Sequence, residues 1–214
     1  MSIEWGLLVN LMEILLLIGV IHFRKKFGKE IVFFIISLVF IVITEMISSY
    51  ISIVLHKDSV FIFTIGIFLF AFFFLFYYYY QLFETPLAKK LQGIVLLLFL
   101  LNYFLSILFV PNFFKVFPNF TYFIECILLL ATFGIFLYET FQTEKILSIT
   151  TYYPFWITVG LFIIYICLLP LLLISSVAQD AMDIRIFRGI LLSINIIGYS
   201  TMIIGLFVTK KIDA

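Results

Sequence analysis

The chain is 214 residues long, 65% hydrophobic, 12% charged and close to neutral at +1. A soluble domain is about 45–50% apolar, so a mean hydropathy of +1.27 excludes an ordinary water-soluble fold. With no basic run beyond Arg24, Lys25, Lys26 and Lys29, nucleic acid is excluded as an expected partner.

A run of about 18 or more apolar residues can cross the roughly 30 Å hydrocarbon core as a helix. Seven such runs predict spans over about 5–22, 31–55, 60–83, 91–110, 120–141, 155–177 and 189–208. Lipid offers the backbone no hydrogen-bond partner, so each span must satisfy its own groups as a helix. A membrane barrel would alternate in segments of about ten residues, whereas Ile94 to Leu101 is continuously apolar. No break exceeds about thirteen residues, which leaves no room for a separate soluble domain. The expected fold class is therefore all-α, a seven-transmembrane helix bundle forming one membrane domain over 1–214.

Glu4 precedes the first span and the basic cluster follows it, the reverse of a cleavable signal peptide. With the N-terminus outside, Arg24, Lys25, Lys26, Lys29, Lys89, Lys90, Lys145, Lys210 and Lys211 fall inside. Lys57, Lys115, Arg185 and Arg188 fall outside, so the positive-inside rule places the C-terminus in the cytoplasm. The expected location is a bacterial inner (plasma) membrane, with the lipid bilayer as first partner. Tyr77 to Tyr80 end the third span, where rings favour the headgroup layer; Trp5 and Trp156 anchor the first and sixth. The 29 phenylalanines are expected to fill lipid-facing positions. Cys126 and Cys167 lie within spans and imply no disulfide framework. Pro170 lies deep in the sixth span and predicts a hinge there, with Gly160 a second hinge candidate on the same helix.

Ionisable groups inside spans are costly and often functional. Glu13, Glu45 and Glu125 stand out, with no Lys or Arg deep in any span to pair with them. Such a carboxylate should be protonated, cation-bound or in contact with water. Asn10 shares a face with Glu13, Asn102 with Ser106, and Asn195 with Tyr199, all at helical spacing. Convergence of these residues predicts a small polar cavity in the outer half, although Asn102 and Asn195 also fit simple interhelical hydrogen bonding. Glu139, near the inner boundary, is expected to be solvated. His22 and His56 fall on opposite faces and cannot share a metal; His56 with Asp58 alone is a weak pair. No H-E-x-x-H, phosphate loop or Cys-x-x-Cys occurs, so no catalytic residue and no metal site is assigned.

A microbial opsin would carry a retinal lysine in its seventh span, but 189–208 contains none, so no retinal cofactor is expected. Other residues carry a likeness: Arg24-Lys25-Lys26 after the first span, Thr44-Glu45 in the second, and Glu125 in the fifth. Tyr153-Pro154-Phe155-Trp156-Ile157-Thr158-Val159-Gly160-Leu161 then opens the sixth, and Ser193-Ile194-Asn195-Ile196-Ile197 lies in the seventh. In these the chain resembles a poorly characterised family of bacterial seven-span proteins, related to N-terminal sensor modules of histidine kinases. The resemblance implies a sensor- or receptor-like role, and a chain ending at Ala214 would need a separate partner such as a histidine kinase. Pro154 is equally well placed for starting a helix. A small proton- or cation-coupled transporter using the same carboxylates is the alternative, and a structural or assembly subunit is a further one.

Overall fold

The structure, a computed structural model, describes residues 3–177 and 184–210. Lys211 and the side chains of Trp5, Lys145 and Arg188 lie outside the described residues. Among the described residues all regular structure is helical, with no strand. We label the long helices α1 (Ile3–Phe23), α2 (Ile31–Ile53), α3 (Val60–Leu82), α4 (Pro86–Phe109), α5 (Asn119–Gln142), α6 (Tyr153–Val177) and α7 (Ile184–Val208). Six stretches, one in each of α2 to α7, are long and apolar enough to cross a membrane. The protein is thus a multi-pass helical membrane protein by length and composition.

Several helices begin before the apolar runs do, because their ends can carry polar groups. Thr85 caps α4, its hydroxyl accepting from Ala88 N–H at 3.3 Å, and Pro86 follows at the first turn. This start puts Lys89 and Lys90 in a helix instead of a loop. Asp58 accepts from Val60 N–H at 2.9 Å and so opens α3.

The chain divides into two compact units, Gly28–Glu139 and Met1–Phe27 with Thr140–Ala214. In the Gly28–Glu139 unit, α3 packs against α2, α4 and α5. Phe40 stacks on Phe70 at 4.9 Å, Phe76 meets Phe99 at 5.0 Å, and Phe68 stacks on Tyr122 at 4.6 Å. Each such ring pair adds about 0.5–1.5 kcal/mol beyond burial itself. One expectation is corrected here. Phe34, Phe68, Phe72, Phe76, Phe99 and Phe133 are core residues, so many of the phenylalanines do not face lipid. Tyr78 and Tyr79 are likewise buried against neighbouring helices, while Tyr77 and Tyr80 are half-buried.

One feature of α3 has no signal in hydropathy. Residues Thr64–Ala71 form π-helical turns, a rare geometry often found at functional sites. Here α2 comes so near that a Cβ on Gly66 would collide with the side chain of buried Thr44. One turn further on, the Ser37 hydroxyl donates to Ala71 O at 2.8 Å.

In the other unit, α1 and α7 run parallel: Glu13 meets Tyr199, Gly19 abuts Leu206, and Phe23 meets Phe207. α6 runs antiparallel to α7, with Trp156 against Gly205 and Gly160 against Gly198. A Cβ on Gly160 would lie 2.7 Å from Gly198 O, and one on Gly198 2.9 Å from Gly160 O. The two backbones touch, as small residues permit between membrane helices. α6 continues as one helix through Pro170.

Gly66→Ala is expected to destabilise the protein by about 1–3 kcal/mol, the usual cost of overpacking. Thr44→Ala should recover part of that loss in the double variant, measured by unfolding in detergent. Additive costs for the two changes would show that Thr44 does not set this approach.

Candidate functional site

Polar side chains have no water to turn to inside a helix bundle, and most of them bond within their own helix. Thr64 donates to Val60 O, Thr132 to Leu128 O, Thr158 to Pro154 O and Thr201 to Ile197 O, each four residues back. These groups are settled locally and do not define a site. Others bond across helices: Ser37 donates to Ala71 O, Gln92 Nε2 donates to Phe76 O at 3.0 Å, and two clusters, one in each unit, contain residues that the sequence singled out.

The first joins α1 to α7. Tyr199 Oη donates to Glu13 Oε1 at 2.7 Å, and both residues are buried, Glu13 at 1% exposure. Asn10 is buried one turn before Glu13 on α1. Asn195 lies one turn before Tyr199 on α7, where its side-chain amide donates to Leu191 O at 2.8 Å. Asn195 is therefore occupied with its own helix through that donor. Gly160 lies in this unit too, in the α6–α7 contact, and Pro170 further along α6.

The second lies on α4 and α5. Thr121 Oγ1 donates to Ser106 Oγ at 2.8 Å, and Asn102 Nδ2 donates to Thr121 O at 3.2 Å. Asn102 thus takes the interhelical role that sequence left open. One turn beyond Thr121, Glu125 is fully buried, and neither carboxyl oxygen has a hydrogen-bond partner among the described residues. Tyr103, whose hydroxyl donates to Thr64 O at 3.4 Å, is near enough to interact electrostatically with Glu125. An ionised carboxyl with neither hydrogen bond nor counter-ion is a costly state in a low-dielectric interior. Glu45, by contrast, is only half-buried on α2.

Of the residues singled out by sequence, Glu13 and Tyr199 meet in one unit, with Asn10 and Asn195 one turn before them on their own helices, and in the other unit Asn102 bonds Thr121, one turn before Glu125. Tyr103, Ser106 and Thr121 were not singled out as site residues for the second place, and only Ser106 and Thr121 stood at helical spacing from residues that were. Glu139 was expected to be solvated, and this is corrected. It is 3% exposed and accepts from Glu84 N–H at 2.7 Å and Thr85 Oγ1–H at 3.1 Å, closing the turn between α3 and α4. Among the described residues no three His, Cys, Asp or Glu side chains are grouped to hold a metal ion. Cys126 and Cys167 are both free thiols.

No family model matches the chain. No curated protein and no solved structure matches it either.

Tyr199→Phe keeps the ring and removes the bond to Glu13. It is expected to cost about 0.6 kcal/mol, and no more than about 1.7, as for other hydrogen bonds between membrane helices. Reversible unfolding in mixed micelles measures this. A loss well above that range would mean that Tyr199 supports more than the Glu13 contact.

Proposed function

We propose that this protein is a sensor- or receptor-like multi-pass membrane protein whose responsive group is a buried carboxyl. The observation that carries the reading is Glu125, fully buried with both oxygens lacking a hydrogen-bond partner among the described residues. Uptake or release of a proton or small cation there changes the charge inside the α3–α4–α5 packing, and the helices respond. A ligand moves such an equilibrium only through unequal affinity for two states. Charge on Glu125 supplies that inequality, since a packed interior penalises it and an opened one relieves it.

In the same proposal α1 is a seventh span, the N-terminus is outside, and the protein lies in a bacterial inner membrane. Glu13, Asn10, Asn195 and Tyr199 form a second polar layer, with Gly160 and Pro170 as the places where α6 adjusts. A separate signalling partner, such as a histidine kinase, belongs to the same proposal. Transport is less favoured. A proton path toward the inner face would use Thr132 and Glu139, yet Thr132 bonds to its own helix and Glu139 closes the α3–α4 turn.

Hydrogen-exchange protection of α3 to α5 in the reconstituted protein is expected to change on a pH step. Glu125→Gln, which holds a neutral side chain of the same size, should abolish that change. An equal response in the variant would remove Glu125 as the responsive group. Glu125-dependent proton flux into proteoliposomes would replace sensing with transport.

A further inference from the structure

The parallel packing of α1 and α7 brings their C-terminal ends to one rim of their unit. There α1 passes into a single 3-10 turn, Arg24–Lys26. Arg24 and Lys25 are exposed, and Lys26 Nζ sits 4.3 Å above the Phe23 ring. Phe23 in turn meets Phe207 edge-on at 5.8 Å, which ties the basic turn to α7. α7 ends beside it, with Thr209 buried and its hydroxyl donating to Gly205 O at 2.7 Å. That bond fixes the point from which exposed Lys210 departs. At the same rim Phe27 stacks on Tyr153 at 4.1 Å, and the Trp156 indole N–H is already held by Thr150 O at 2.8 Å.

Along the three segments that carry the cations and the rings beside them, the described charges have one sign. Residues 20–27, 152–160 and 200–210 contain no Asp or Glu. No ion pair engages Arg24, Lys25, Lys26 or Lys210 among the described residues. The positive-inside rule accounts for basic residues in a loop, but it requires neither Lys210 beside them nor an aromatic tie between the two helices. Immediately below the cations, Ile21, Phe207 and Val208 are 45%, 71% and 42% exposed. Cations directly above exposed hydrocarbon fit an anion that carries acyl chains.

We propose that this rim is a binding site for an anionic phospholipid, with Arg24, Lys25 and Lys210 around the phosphate and Phe207 against an acyl chain. Guanidinium and ammonium groups both bind phosphate oxygens, the first through a planar fork. The site is independent of Glu125 and of the signalling role.

The test uses the full chain in nanodiscs and native mass spectrometry, with phosphatidylglycerol and phosphatidylcholine as probes. Retained phosphatidylglycerol, not displaced by millimolar inorganic phosphate, is the expected result. At about fivefold per cation, Arg24→Gln with Lys25→Gln and Lys210→Gln should weaken retention roughly a hundredfold. Lys89→Gln with Lys90→Gln, which removes two cations from the other unit, should leave it nearly unchanged. Phe207→Ala should weaken retention while leaving all cations in place. Equal retention of both lipids, or equal loss in the Lys89 and Lys90 variant, would overturn the proposal. Displacement by phosphate alone would reduce the site to one for a soluble anion and overturn it also.

Discussion

How near two helices can come is the constraint on which each unit depends. Association within a bilayer gains nothing from expelling water, so close packing and internal hydrogen bonds must hold the helices. The protein answers in two ways. Around α3 it interlocks rings, with Phe40, Phe76, Phe99 and Tyr122 filling the spaces between four helices. Between α6 and α7 it removes side chains altogether, and Gly160 and Gly198 let backbone meet backbone. The Gly66–Thr44 contact combines the two, with a glycine that admits a neighbour inside the aromatic helix.

Hydrogen bonding divides along similar lines. Hydroxyls that bond four residues back, such as Thr64 and Thr158, are neutralised by their own helices and leave packing to decide the neighbours. Bonds that cross between helices carry positional information. Tyr199 to Glu13 sets the register of α7 on α1, and Thr121 to Ser106 sets that of α5 on α4. Glu139 does the same for the α3–α4 turn, which it clamps at two points. Glu125 stands apart, because the residues around it settle their own needs and leave its carboxyl to whatever enters.

The apolar runs made the helices legible, because hydrocarbon demands length and apolarity from any span. The pairing of Asn10 and Glu13 on α1, and of Asn195 and Tyr199 on α7, was also legible from helical spacing. Their meeting across the unit was not, since spacing fixes a face and not what lies opposite it. Phenylalanine misled for a related reason. A hydropathy run is the same whether its rings meet lipid or other rings, and only the placement of α3 among its neighbours buries Phe68, Phe72 and Tyr79. Glu139 misled because depth was judged from its own helix, while its partners belong to a turn 54 and 55 residues earlier. The π-helical turns of Thr64–Ala71 change hydrogen-bond spacing without changing composition, so nothing in the residue types announces them.

The order of synthesis gives the split unit a particular history. Residues Gly28–Glu139 are made between the two segments that together form the other unit. Glu13 and Tyr199 are 186 residues apart in the chain, which at about 5–20 residues per second is roughly 10 to 40 s of translation. For that interval α1 carries a carboxyl whose phenol does not yet exist. Of the two helices that this bond joins, α1 is made first and α7 must follow before the contact can close.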